Sequence, residues 1–232
     1  MGENFFSVIF YSFYILEGNY IEFKRTIESY IKAANSDEFL RDSEKHIDLH
    51  IDGGREIGRL IHNYVAAWLS VVDHTRVIHK KLKDHDSSDI RDFTNECELR
   101  LAEYLKDTFE NVFVKDLRRY VQHKRTPMPT LHFKMKRIEN LLSESGEPLF
   151  EAGHSFEFNS KDIEDFNWNP KAKEYIKSNK SVPIVQIIDK HFSSMKDFYL
   201  WIQFRDHQLH PYAPKELTEI TFEDWKQKKL GN

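Results

Sequence analysis

Phe109–Pro129, FENVFVKDLRRYVQHKRTPMP, is the stretch on which the reading of this chain turns. Its apolar residues fall at Phe109, Val112, Phe113, Leu117, Tyr120 and Val121, and steps of three and four place them on one stripe of an α-helix. The pattern ends at Gln122-His123-Lys124-Arg125, with Pro127 and Pro129 just beyond. Basic residues in a last turn and prolines after it are helix-stop signals. The segment is therefore expected to be a buried helix whose C-terminal end carries Arg118, Arg119, His123, Lys124 and Arg125. Guanidinium groups in that setting suit phosphate, and imidazole is the side-chain type that exchanges protons near neutral pH.

Arg118 and His123 have four residues between them at the close of an apolar helix, and this resembles the Arg-x(4–6)-His signature of HEPN domains. Those domains are α-helical bundles, often dimeric, that act as metal-independent ribonucleases. The string Leu117-Arg118-Arg119-Tyr120-Val121-Gln122-His123, with Pro127 after it, is similar to a bacterial subgroup that reads Leu-Arg-Asn-Tyr-Val-Gln-His followed by a proline. The earlier stretch HNYVAAWLSVVDHTR, His62–Arg76, resembles the helix that precedes the Arg–His helix in that subgroup. Arg119 departs from the pattern, because the family carries a polar and often Asn residue there; a second cation alters the charge of the site. The resemblance implies RNA as substrate, no cofactor, no metal, and a composite site at the two-fold interface of a homodimer. It also implies a place in toxin–antitoxin pairs or phage defence, with an antitoxin or other regulatory protein as partner. On this reading His123 is the acid/base group and Arg118 the phosphate contact. Arg119, Lys124, Arg125, Asn63 and Arg76 are further substrate-binding candidates, although for Asn63 and Arg76 hydrogen bonding between helices is the preferred role.

The short spacing is weakly specific. It occurs five times, at Arg41–His46, Arg55–His62, Arg118–His123, Arg125–His132 and Arg205–His210, where about two are expected by chance. Context separates them. Arg41–His46 lies in a polar, poorly periodic stretch, Arg55–His62 opens a helix, and Arg125–His132 straddles two prolines. Arg118–His123 and Arg205–His210 alone close amphipathic helices, and the first is the preferred pair.

A chain of 232 residues is long enough for a sizeable core, and 14% aromatic residues argue for a folded protein. With 8 Gly and 7 Pro among long charged–apolar periodic runs, helices are favoured. A net charge of −4 offers no global attraction for nucleic acid, so an RNA site has to be a local basic patch. The lone Cys97 forms no intrachain disulfide, which suits a reducing cytoplasm. Phe5–Leu16, FFSVIFYSFYIL, is shorter than the roughly 18 apolar residues a membrane span needs and follows an acidic start, so it is expected to be a core or interface segment with no membrane contact.

Elsewhere, Ile15–Ala34 and Arg55–Leu82 carry helical periodicity, with Gly53-Gly54 expected to mark a bend or a helix start. Asp84–Ser88 is a polar turn with Ser87 or Ser88 as N-cap, after which Asp89–Lys124 is one very long helix or two with a kink. The helices on either side of that turn are expected to be antiparallel neighbours. Leu131–Lys136 and His154–Phe158 alternate with period two and are expected to pair as a short hairpin. Trp168–Ser178, Pro183–Gln208 and Thr218–Leu230 complete the helices. No internal repeat, linker or boundary divides the chain, so the fold class is mainly α: a single antiparallel helical bundle of HEPN type over 1–232, with a β-hairpin inserted after the Arg–His helix. His46 and His50, a helical turn apart near Asp48 and Asp52, form a charged face for which no third metal ligand can be named. There is no Gly-rich phosphate loop, Cys-x-x-Cys pair, His-Glu-x-x-His or Gly-x-Ser-x-Gly, which leaves acid–base chemistry by Arg and His. A non-catalytic helical module that binds RNA or protein through the same residues is the alternative.

Overall fold

The computed structural model describes residues 5–36, 43–142, 148–209 and 219–231. Two long helices, α1 (Phe5–Ala34) and α2 (Ser43–Lys83), form the frame. They run antiparallel: Ser12 Oγ meets His74 Nδ1 at 2.5 Å, and Arg59 reaches Glu22 at 2.8 Å. Phe5–Leu16 belongs to α1, where Ile9 and Leu16 are buried while Val8, Tyr11 and Tyr14 face solvent. No helix among the described residues is long and apolar enough to cross a membrane.

No helix starts at Gly53 and Gly54; α2 is continuous through them. Their smallness admits neighbours instead. A Cβ on Gly53 would lie 3.1 Å from the Phe156 ring, and one on Gly54 would lie 2.8 Å from the Pro129 carbonyl oxygen. The glycines thus seat the connector and hairpin that follow the Arg–His helix, which outweighs their local helix cost of about 1 kcal/mol each.

Of the two expectations for Asp89–Lys124, the structure has two helices with an interruption between them. An α-helix, α3 (Ser88–Leu101), passes into one π-helical stretch, Ala102–Lys106, and then stops. The next helix, α4 (Phe109–His123), restarts at Thr108, whose hydroxyl accepts from the Asn111 N–H at 3.4 Å. α2 and α3 are neighbours across the short turn, joined where His79 Nε2 meets the Thr94 carbonyl at 3.3 Å.

Strands β1 (Thr130–Leu142) and β2 (Pro148–Asn159) pair antiparallel, and Phe158 and Asn159 of β2 pair with β3 (Ser181–Val182). The hairpin is longer than the two alternating runs, and β3 is too short to carry any periodicity of its own. Glu157 ties the three strands together, accepting from Lys134 on β1, Ser155 on β2 and Ser181 on β3. Burial pushes its carboxyl up, but those three hydrogen bonds outweigh it and hold the group below the usual carboxylate range.

One turn of helix, α5 (Ser160–Ile163), and α6 (Pro170–Ser178), capped by Asn169, lead to α7 (Ile184–Leu209) and α8 (Phe222–Leu230). α7 runs antiparallel to α1, with Lys24 on Asp189 and Lys196 on Glu17, and parallel to α2, with Tyr64 on His191 and Thr75 on Tyr199. One hydrophobic core extends through all these elements, and its aromatic residues stack in rows such as Phe13–Tyr199 at 4.7 Å and Phe113–Trp168 at 5.2 Å. The fold is mainly helical with a small three-stranded antiparallel sheet.

Candidate functional site

The middle of α4 is anchored on one side and open on the other. Phe113, Leu117 and Tyr120 are fully buried, and Tyr120 and Phe113 both stack on Trp168. Asp116 is 4% exposed, yet it is fully engaged: Arg119 Nη1 donates to it at 3.0 Å, and so does the backbone N–H of Asn169. A buried carboxylate with two donors locks α4 to the connector before α6.

This arrangement answers the departure at Arg119. Its guanidinium is held by Asp116 and lies over the Phe166 ring, 5.6 Å from the centroid. The second cation is therefore neutralised in place. Lys124 is likewise ion-paired with Asp165. Arg125 donates from Nε to the Tyr120 hydroxyl at 3.2 Å and from Nη2 to the Asp162 carbonyl at 2.7 Å. Three of the candidate phosphate ligands thus hold the 162–166 loop against the end of α4.

Arg118 and His123 differ from them. Arg118 is half-buried, its Nε is sealed from solvent, and among the described residues no group pairs with it. His123 is exposed in the last turn and is also without a partner there. On an ideal helix the two side chains project about 140° apart. One copy of the chain does not direct both at a single point.

Arg118 lines a cavity of about 1140 Å³ between α2, the π-helical stretch, α4 and α7; Arg76 and Arg119 line it too. His123, Lys124, Arg125 and Asn63 do not. Arg76 is exposed and pairs with Asp73 at 3.5 Å. Asn63 is half-exposed and projects about 140° away from Arg76 around α2. The sequence reading missed Lys106, Lys115 and His79, which also border the cavity. Lys115 stands three and four residues before Arg118 and Arg119, a helical spacing visible in the sequence. Nothing comparable announces Lys106, because the π-helical stretch rotates it out of the α-helical register.

The second Arg–His pair is partly outside the described residues, since His210 is not among them. Arg205 is committed to packing: Nη1 donates to Gln208 at 2.7 Å, and Nε lies 3.1 Å from Glu96. No protein-family model, curated protein or solved structure matches this chain.

Proposed function

We propose that the protein is a metal-independent RNA endonuclease of HEPN type, in which Arg118 contacts the scissile phosphate and His123 transfers the proton. The observation that carries this reading is the partition of cations at the end of α4. Arg119, Lys124 and Arg125 are consumed by the fold, while Arg118 and His123 have no partner among the described residues. An unpaired guanidinium can stabilise the charge that develops on a non-bridging phosphate oxygen, and an unpaired imidazole can exchange a proton with the 2′-hydroxyl or the leaving 5′-oxygen. The neutralised Arg119 removes the electrostatic objection that a second free cation raises.

The wide angle between Arg118 and His123 favours a site completed by two copies of the chain. In an isologous pair, Arg118 of one copy and His123 of the other can meet at one phosphate. A regulatory protein that covers the same helix end would silence it, which fits a toxin or phage-defence effector.

The test is incubation of the purified protein with total cellular RNA in EDTA, with His123→Ala alongside. Cleavage by the wild type alone, leaving 2′,3′-cyclic phosphate ends and sparing DNA, supports the proposal. Loss of cleavage on chelation, or equal activity in both proteins, refutes it. Binding without cleavage by the wild type favours the non-catalytic module.

A further inference from the structure

We infer that the cavity beside α4 admits a single unstacked nucleotide of single-stranded RNA, with its base on the apolar wall and its phosphate at Arg118. This inference rests on the RNA reading above and names the form of substrate. The cavity has two kinds of lining. Leu69 and Val72 of α2, Val112 of α4 and Phe198 of α7 offer apolar surface. Lys106, Lys115 and Arg118 offer cations that no described acid partners, and these outnumber Asp107, the one bordering carboxylate without an ion pair. The other acidic neighbours are occupied, Asp116 by Arg119 and Glu98 by Lys83. In a chain of net charge −4, such a concentration of free positive charge around an apolar hollow selects an anion with a flat apolar body.

The dimensions favour a nucleotide that belongs to a chain. At about 1140 Å³ the space lies at or above the upper end of the roughly 300–1,000 Å³ usual for one small ligand. The π-helical stretch contributes Ala102, Leu105 and Lys106 to the wall, and Ala102 is exposed. π-Helical turns recur at functional sites, and here one forms part of the cavity wall. A base can enter only if it has left its stack, so duplex RNA is excluded while loops and single strands qualify.

Binding of a labelled single-stranded RNA oligonucleotide, of the same oligonucleotide annealed to its complement, and of the four nucleoside 5′-monophosphates is measured on the wild type, Val72→Trp and Ala102→Trp. Each protein is first checked by its melting curve. Because Val72 is half-buried and Ala102 is exposed, Ala102→Trp keeps the test open if Val72→Trp fails to fold. The expected result is that the single strand binds, and that the duplex, or either bulky substitution, weakens binding about tenfold or more, the scale of one lost base contact. Single-strand binding that is untouched by a folded, filled variant, or matched by the duplex, overturns the nucleotide pocket but spares the RNA reading. Mononucleotide binding without oligonucleotide binding overturns it in favour of a free-nucleotide site. A wild type that neither binds nor cleaves RNA brings down the underlying reading and the pocket with it.

Discussion

α4 and α7 both carry arginine and histidine side chains, and the fold treats Arg118 and His123 on the first unlike Arg205 and His191 on the second. On α7, His191 is 1% exposed with one ring nitrogen, Nδ1, 2.7 Å from the Tyr64 hydroxyl and the other, Nε2, buried without a hydrogen bond among the described residues, and Arg205 is held by Glu96 and Gln208. On α4, Arg118 and His123 have no partner among the described residues, although Asp116 and the 162–166 loop engage Arg119, Lys124 and Arg125 around them. A side chain used for stability takes at least one partner inside the fold, because leaving it wholly unpaired costs about 1–3 kcal/mol. A group left free at a surface or cavity edge retains its capacity for a ligand. The same residue types therefore mark a structural helix in one place and a candidate site in the other.

The sharpest way to break this contrast is His123→Ala. It is expected to lower RNA cleavage by about 10²–10⁴-fold while RNA affinity stays within a few-fold, since proton transfer acts in the transition state. Single-turnover cleavage and equilibrium binding, measured on one preparation, check it; unchanged cleavage removes His123 from the mechanism.

Asp116→Ala probes the anchoring of α4. It strands Arg119 and the Asn169 N–H, and is expected to cost about 2–3 kcal/mol, read as a lower urea midpoint at constant slope. The freed Arg119 also restores a second cation beside Arg118, so tighter RNA binding at low salt should accompany the lost stability.

The buried histidine of α7 predicts a pH dependence. Burial holds the His191 pKa down to about 3, against 6.5 for the free side chain. The unfolded chain then binds a proton that the native state refuses. Stability is full above pH 6.5 and falls as the pH drops toward 3, with a slope approaching about 1.4 kcal/mol per pH unit. Urea midpoints between pH 6.5 and 4.5, above the range where Glu157 titrates, should show that slope in the wild type and lose it in His191→Gln.

The smallest effect compares the two arginines directly. Arg205→Ala is expected to lower stability by about 1 kcal/mol, because Glu96 is half-exposed and screened, and to leave RNA cleavage alone. Arg118→Ala should do the reverse, changing stability by less than about 0.5 kcal/mol while weakening both binding and cleavage. Thermal melts and cleavage rates on the two proteins settle the matter; a destabilised Arg118→Ala with normal cleavage would equate the two helices.

The amino-acid sequence by itself determined most of the helices, because a three-and-four periodicity is a local property that burial of one stripe enforces. It marked the α7 stripe from Ile184 to Leu209, the Asn169-Pro170 start of α6, and the pairing of an alternating hairpin after Pro129. It also singled out Arg118 and His123 by their place at a helix end. Tertiary structure decided the rest. Gly53-Gly54 looked like a break, and only the approach of Phe156 and the Pro129 carbonyl explains why a helix runs through them. The π-helical stretch at Ala102–Lys106 has the same periodic composition as its neighbours, so no local signal distinguishes it. Whether a given arginine is free or spent depends on groups far away in sequence: Arg125 meets the Asp162 carbonyl and Arg205 meets the Glu96 carboxylate, whereas among the described residues nothing meets Arg118. Periodicity records which face of an element is apolar, but a charge is neutralised by whatever packing brings beside it, and that is a property of the folded chain alone.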